Sequence, residues 1–340
     1  MITTNWTEYP SNPIYNPGKA YYPTIIKVSP TSYIMWSDCA TGLQMATSTD
    51  GISWTNVGIC TGLTAPAHCF VHACHHVPYR IWYWSGTVYS INAIRTATSV
   101  NGLAWTNDQF ITQVGTSVIT GVSPNWNYGS YGPIAIIHTG TEAPSIIPPV
   151  DKASVWANEF VMYYDGSVGT RESVGLAVSA DGIRWQGFNN GVNPIMCSGP
   201  LPWDANYTAW GTVVKVSDDL FQFWYCGGIA ATNEGIGYAQ STDGIFWMKD
   251  AANPIFHKTD GVAWRNNRTY TPCVIGNQMW FSGRSTPGVY AIGYATGTDD
   301  PVPPTPTSGP AVIHPYNKAQ VGSLGTRDGT VIVPRYNDWS

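Results

Sequence analysis

The chain has 340 residues, of which 43% are hydrophobic and only 11% are charged, and its net charge is −5. This charge and the lack of any Lys/Arg cluster exclude nucleic acid and anionic membranes as expected partners, and no apolar run reaches the roughly 18 residues of a membrane span. The 16 Trp, 20 Tyr, 35 Gly and 25 Pro predict an all-β fold of short strands and tight turns.

Three kinds of predicted strand recur in the same order five times along the chain. Each copy begins with a short apolar strand, continues with an aromatic strand and ends with an alternating strand of small residues. The first strands are predicted at 23–28, 69–73, 133–137, 211–216 and 272–275. The aromatic strands are predicted at 33–37, 81–86, 161–166, 223–228 and 278–283.

A turn signature, Ser-x-Asp/Asn-Gly-x-x-Trp, follows the third strand in four of the copies. It stands at 48–54, 99–105, 179–185 and 241–247. An Asp-Gly or Asn-Gly pair between apolar runs predicts a type I′ hairpin turn, in which both central residues have positive φ. We expect the Trp to lie on the returning strand and to pack against the next repeat.

The fifth copy has no such signature, and the N-terminal segment supplies the missing strand. Trp6 followed by Asn-Pro-Ile at 12–14 resembles Trp247 followed by the same three residues at 253–255. The predicted fold is therefore a five-bladed β-propeller over residues 1–300, closed by its N-terminal segment, because radial closure protects the sheet edges. A β-sandwich, the competing all-β fold, does not predict one strand order repeated five times.

The composition changes after residue 300. Residues 301–310 predict a stiff Pro-rich linker. Residues 311–340 form a tail too short for a core of its own. The tail packs back on the propeller or docks on another subunit, and we expect it to dock on a second copy or on another structural subunit.

The strand order together with the turn signature and the Asn-Pro-Ile motif resembles the five-bladed glycoside hydrolases of families 43, 32 and 130, over roughly residues 1–300. That resemblance implies three carboxylates around the central cavity, on or near the first strands. Hydrolysis needs two of them, about 5–5.5 Å apart in retaining and about 6.5–9.5 Å apart in inverting enzymes. The stretches that open the first strands contain one acid, Asp204, while Glu172 and Glu234 precede third strands and Asp165 ends a second strand.

Aromatic residues fill those stretches instead of acids. Rings with a polar tip suit sugar faces, although the same rings also cap a channel. The predicted carbohydrate-binding residues are Tyr22, Tyr131, Trp203, Trp210 and Tyr270.

Histidines near the second copy give weak metal candidates, His68 and His75. On a regular strand His68 and His72 point the same way but lie about 13 Å apart at roughly 3.3 Å per residue, so they cannot share an ion. No cofactor and no metal site is expected.

Three readings of the function remain open. The first is a non-catalytic glycan-binding or assembly module, with the low charge and Thr/Asn/Gly richness of phage-tail or virion surface proteins. The alternative is an active glycoside hydrolase acting on furanosides or related oligosaccharides, with Asp204, Asp165 and Glu172 as its acids. A purely structural subunit is the third reading. No secretion signal is visible, and a virion or cell-surface location fits the first reading.

Overall fold

The computed structural model describes residues 2–73, 78–85, 94–113, 129–168, 171–191, 194–230, 234–257, 262–286 and 288–300. Within these ranges the regular structure is nearly all strand, and the only α-helix, α1 (Lys152–Trp156), has five residues. The all-β prediction is therefore confirmed. No helix in the described part of the chain is long and apolar enough to cross a membrane.

Strand β1 (Ile2–Glu8) opens the chain, and antiparallel runs of consecutive strands follow it. The first run contains β2 (Tyr21–Ser29), β3 (Ser32–Cys39), β4 (Gly42–Ser48) and β5 (Thr55–Ile59). The second run contains β6 (Pro66–His72), β7 (Tyr79–Ser85), β8 (Ile94–Ser99) and β9 (Thr106–Phe110), and β10 (Thr112–Gln113) follows it.

The remaining runs repeat the pattern. The third contains β11 (Gly129–His138), β12 (Phe160–Val168), β13 (Arg171–Ser179) and β14 (Arg184–Gly187). The fourth contains β15 (Tyr207–Ser217), β16 (Leu220–Gly228), β17 (Glu234–Ser241), β18 (Met248–Lys249) and β19 (Phe256–His257). One parallel pair, Glu172 with Tyr207, joins these two runs, and β10 pairs parallel with β14 to complete a ten-stranded sheet. The last run contains β20 (Arg268–Ile275), β21 (Gln278–Arg284) and β22 (Tyr290–Asp300).

The N-terminal segment lies against this last run, where β1 pairs antiparallel with β22. The Asn12 amide takes the place of a backbone partner for Tyr294, donating to its carbonyl and accepting from its N–H, both at 2.9 Å. Asn253 makes the same two bonds to Tyr238, at 2.9 and 2.7 Å. The two copies of the Asn-Pro-Ile motif therefore have the same structural role.

The signature turns differ from the predicted type. Gly51 has a φ of 77°, but Asp50 does not have positive φ, and the same holds for the other three copies. The Asp50 carboxylate accepts from the amides of Ile52 and Ser53, both at 2.7 Å, and the Ser48 hydroxyl accepts from Gly51. The type I′ prediction is wrong, because the side chain holds the following amides while its own backbone stays in the ordinary region.

Each signature glycine accepts a hydrogen bond from a buried aromatic residue of the preceding run. The pairs are Trp36 with Gly102 (2.7 Å), Trp82 with Gly182 (2.8 Å), Tyr163 with Gly244 (2.8 Å) and Trp280 with Gly51 (2.7 Å). Three signature tryptophans pack against the preceding run and not against the next one, so that part of the prediction is wrong. Their partners are Trp36 for Trp105, Trp82 for Trp185 and Tyr163 for Trp247. The hydrogen bond from Trp280 to Gly51 connects the last run to the first.

The predicted number of five blades and their closure into a ring stay predictions. The linker at 301–310 and the tail at 311–340 lie outside the described residues.

Candidate functional site

A backbone irregularity recurs near the start of the first strand of every run. One residue in each has positive φ: Tyr22 (54°), His68 (47°), Gly132 (127°), Trp210 (20°) and Thr271 (48°). The pairing register shifts at the same places. A β-bulge re-aims a side chain, and positive φ in a residue other than glycine is an energetic cost that often marks a functional position.

The same five strands meet around a small cavity of about 30 Å³, to which each of them contributes lining residues. A cavity of this size holds a water molecule or two, whereas ligand pockets measure roughly 300–1,000 Å³. At this level the described side chains fill the axis. The described residues around this cavity therefore leave no room in it for a ligand of that size.

The filling is an aromatic cluster centred on Tyr22. The Tyr22 ring stacks on His68, with centroids 3.8 Å apart, and meets the edges of Trp210 at 5.3 Å and Tyr270 at 5.7 Å. His68 in turn stacks on Trp84 at 5.3 Å. Trp210 and Tyr270 are buried, and Tyr22, His68 and Trp84 are half-buried. We call these five residues the axial aromatic cluster; it brings together Tyr22, Trp210 and Tyr270, three of the predicted binding residues.

Trp203, another predicted binding residue, does not join this cluster. Trp203 packs on the fourth run, with its ring 5.7 Å from that of Tyr225. It lies so close to Gly227 and Gly237 that a Cβ at either glycine would be within 2.7 Å of the indole. The side chain of Tyr131 lies outside the described residues.

Asp204 is held in an ion pair inside the fourth run. Its carboxylate accepts from Lys249 Nζ at 2.6 Å and from the Tyr225 hydroxyl at 3.1 Å. Lys249 also donates to the carbonyls of Cys197 and Gly199. Burial raises the pKa of Asp204 and lowers that of Lys249, while the opposite charge of each acts against the effect on the other. The pair fixes the 3₁₀ turn at Pro202–Asp204 to β18.

The other candidate acids lie at the same end of the sheets as the axial aromatic cluster. Glu234 begins β17 and binds Arg268 through both oxygens, at 2.7 and 2.8 Å. The Arg268 guanidinium lies 4.2 Å from the centre of the Tyr270 ring, which connects the ion pair to the cluster. Burial raises the pKa of Glu234, and Arg268 acts in the opposite direction.

Glu172 and Asp165 complete this acidic group. Burial, followed by the charge of Glu234, raises the pKa of Glu172 from 4.5 to about 8. Burial, followed by the charge of Glu172, raises the pKa of Asp165 well above its ordinary value. At neutral pH Glu172 is therefore mainly protonated, and Glu234 faces a permanent cation. The three acids come from separate strands but influence one another's protonation.

Asp38, at the end of β3, is an acid that the sequence reasoning missed. Its carboxylate accepts from the His68 amide at 2.9 Å, and its second oxygen lies 3.6 Å from His68 Nε2. Burial raises the pKa of Asp38 well above its ordinary value, against the His68 hydrogen bond and the charge of Lys19. Asp38 and Asp165 share one sequence signal: each is an acid at the end of an aromatic second strand.

The histidine candidates show no metal site in the described structure. The bulge at His68 breaks the regular alternation on which the comparison with His72 depended, and His72 lies at the other end of β6, 5.3 Å from the ring of His138. The described ranges contain no group of three His, Cys, Asp or Glu side chains placed to hold an ion. His75 lies outside them.

Two cations and two tyrosines lie beside the axial aromatic cluster, and the sequence reasoning did not single out three of them. Lys19 Nζ is 5.1 Å from the ring centre of Tyr21 and 5.3 Å from that of Tyr290. The Arg284 guanidinium lies 5.0 Å from the same Tyr290 ring, and the two tyrosine rings are 5.0 Å apart. We call these four half-buried residues the basic tyrosine sector. Tyr21 also contacts Tyr22, so the sector continues the cluster.

No protein-family model matches this sequence, and no curated protein matches it. Solved structures do match its fold. A glycosyl hydrolase from Bacteroides ovatus superposes with a TM-score of 0.60 at 15% identity, over 86% of this chain and 94% of that chain.

Two further structures are similar. One is from the family 130 of mannoside phosphorylases, which contains glycoside hydrolases that target β-1,2 mannosidic linkages in Candida mannan. Its TM-score is 0.59 at 13% identity, over 88% of this chain and 98% of that chain. The other is an N-acetylgalactosamine deacetylase from F. plautii in complex with blood group B trisaccharide, with a TM-score of 0.54 at 14% identity, over 86% and 93%. At these identities the likeness shows the fold alone: this chain has the propeller-type fold of the glycoside hydrolases.

Proposed function

We propose that the chain is a non-catalytic carbohydrate-binding protein, with its ligand on the axial aromatic cluster and the adjoining basic tyrosine sector. The observation that carries this proposal is the set of five bulged positions, of which three (Tyr22, His68 and Trp210) carry rings and none carries a carboxyl group. Half-buried rings such as Tyr22, Trp84 and Tyr290 offer flat apolar area with polar tips, the surface that sugar faces need. The small residual cavity favours a ligand lying across this surface over one enclosed by it.

The state of the acids supports a binding role. Both oxygens of Glu234 are bound by Arg268, and Asp204 is bound by Lys249. Among the five bulged positions none carries a carboxyl group. A glycosidase needs one carboxylate that attacks the sugar or activates water, and each of these two already neutralises a cation.

A glycan array, followed by titration with tryptophan fluorescence, tests the proposal. We expect Tyr22→Ala and Tyr290→Ala to weaken binding by about tenfold or more, since a stacked ring contributes on the order of 1–2 kcal/mol. Tyr79→Ala is the matched control, because Tyr79 is also half-buried against a tryptophan, Trp36, but begins β7 at the opposite end. Unchanged binding in both site variants, with native melting temperatures, would contradict the proposal.

An active glycoside hydrolase for furanosides or related oligosaccharides is the second candidate. The observation that favours it is Glu172, whose pKa of about 8 keeps a proton available at neutral pH beside the charged Glu234. A panel of aryl furanosides and pyranosides distinguishes the two functions. Turnover that is lost in Glu172→Gln or Asp204→Asn would establish the enzyme, and we expect none.

We propose that residues 1–300 form a five-bladed ring closed by the N-terminal strand. The pairing of β1 with β22, the bond from Trp280 to Gly51 and the cavity lined by five first strands support it. Cysteines placed at the paired positions Asn5 and Thr298 should form a disulfide that mass spectrometry detects in the monomer. A chain that forms this bond only between molecules would overturn the closure.

We propose that the tail at 311–340, carried by the linker at 301–310, docks on a second copy or on another structural subunit, as in an assembly on a virion or cell surface. The support is the sequence alone, a stiff linker followed by a segment too short for its own core. Deleting 301–340 should lower the oligomer mass measured by light scattering. The same mass with and without the tail would contradict docking on a second copy.

A further inference from the structure

We infer that the carbohydrate is an acidic saccharide, whose negatively charged group lies between Lys19 and Arg284 while its ring contacts Tyr21 and Tyr290. This inference rests on the proposed carbohydrate-binding function and names the class of ligand for the same face.

The buried basic residues differ in whether they have a carboxylate partner. Five of the described cations that are at least partly buried have a carboxylate partner within hydrogen-bonding distance: Arg268, Arg265, Arg95, Lys249 and Lys152. Arg284 is half-buried like them, but in the described part of the chain its Nε is buried without an acceptor. A buried donor left without a partner is costly, so an acceptor supplied by a ligand would be favoured.

Positive charge is concentrated around the Tyr290 ring. Lys19 and Arg284 both lie within 5.3 Å of the centre of one ring, Tyr290, and two neighbouring cations repel each other. Two of the nearby acids, Glu234 and Glu172, do not offset them at neutral pH. Glu234 is occupied by Arg268, and burial raises the pKa of both Glu172 and Asp38. The sector is therefore positive in a chain whose net charge is −5.

The surface around the two cations is aromatic. Tyr21 and Tyr290 present half-buried rings 5.0 Å apart, and burial raises the pKa of Tyr21, so its hydroxyl stays a hydrogen-bond donor at all physiological pH values. Aromatic area suits the apolar face of a sugar, and cations with hydroxyl donors suit a carboxylate or a sulfate group. A free inorganic anion would use the cations and leave the rings without a role.

Sugars that differ in one group provide the test. Binding of oligogalacturonate is compared with that of oligogalactose, and 6-sulfated galactose separates sulfate from carboxylate recognition. We expect the wild type to bind an acidic member about tenfold more tightly than the neutral one at low salt, since hydrogen bonds to charged groups contribute on the order of 1.5–3 kcal/mol. This preference should fall as ionic strength rises, because salt screens partly exposed charges.

Variants assign the preference to the sector. Arg284→Gln and Lys19→Gln should each remove most of the tenfold preference, measured in each variant as the ratio of its acidic-sugar affinity to its neutral-sugar affinity. Lys27→Gln is the matched control, because Lys27 lies 5.1 Å over a tyrosine ring, Tyr33, toward the other end of the same strand β2. If Arg284→Gln fails to fold, Lys19→Gln and the salt series decide.

The outcomes separate this inference from the proposed function. Neutral sugars bound as tightly as their acidic counterparts would overturn the inference and leave carbohydrate binding in place. Binding of neither class would overturn both. An acidic preference that survives unchanged in Lys19→Gln and Arg284→Gln would also overturn the assignment to this sector.

Discussion

Replacing Glu172 by glutamine should stabilise the protein at alkaline pH. Burial and the charge of Glu234 raise the pKa of Glu172 from 4.5 to about 8 in the folded chain. Between these two values the folded state keeps a proton that the unfolded chain has lost. The contribution of Glu172 to the wild-type free energy of unfolding is therefore highest below pH 4.5, falls as the pH rises, and is lowest above pH 8.

The structure bounds the size of this effect. A pKa difference between 4.5 and about 8, at about 1.4 kcal/mol for each pH unit, corresponds to at most about 5 kcal/mol. Asp165 shares the titration, and Glu172 keeps some solvent contact, so we expect about 2 kcal/mol. Glutamine resembles the protonated carboxyl but cannot ionise. Glu172→Gln should match the wild type at pH 4.5 and exceed its unfolding free energy at pH 8.5.

Urea denaturation followed by tryptophan fluorescence, at half-unit steps from pH 4.5 to 8.5, measures the difference. Asp218→Asn is the control, because Asp218 is exposed and Lys215 lowers its pKa below the range tested. A Glu172→Gln variant that is less stable than the wild type at pH 8.5 would refute the reasoning. A difference that does not vary with pH would refute it equally.

Three further substitutions test the packing. Lys249→Met should cost about 3 kcal/mol in urea denaturation, because Asp204 stays buried without its cation, and acid pH should recover part of the loss by protonating that carboxyl. Trp82→Phe should lower the free energy of unfolding by roughly 2 kcal/mol, because the hydrogen bond to Gly182 is lost. The near-ultraviolet circular dichroism of the other aromatic residues should stay unchanged, which would show that the rest of the core still packs. Gly182→Ala should lower the melting temperature, since φ is 74° and a Cβ would lie 2.9 Å from the Trp82 ring; an unchanged melting temperature would contradict the close contact.

The order of the strands was predictable because a repeated pattern leaves little choice of topology. The aromatic second strands and the alternating third strands appear close to their predicted positions, and the N-terminal segment lies beside β22. The turn type was not predictable from the Asp-Gly pair alone. A carboxylate that accepts from two following amides gives the same dipeptide a different backbone, as at Asp50.

The site was only partly predictable, because its geometry depends on the bulges. A bulge changes which side chains face the axis, and the five bulged positions carry five different residue types. One signal was available: three of them, Tyr22, Gly132 and Thr271, directly precede a proline that opens the apolar part of a first strand. The position of Asp38 against His68 depends on contacts between two runs, which a linear pattern does not contain.

The five bulges share one backbone irregularity but carry five different residue types. The same backbone irregularity carries a phenol, an imidazole, an indole, a hydroxyl or no side chain at all at its five occurrences. Exchanging them one at a time should alter the chemistry at the centre and leave the surrounding strands in place. A scaffold of this kind offers a short mutational route between receptors and catalysts.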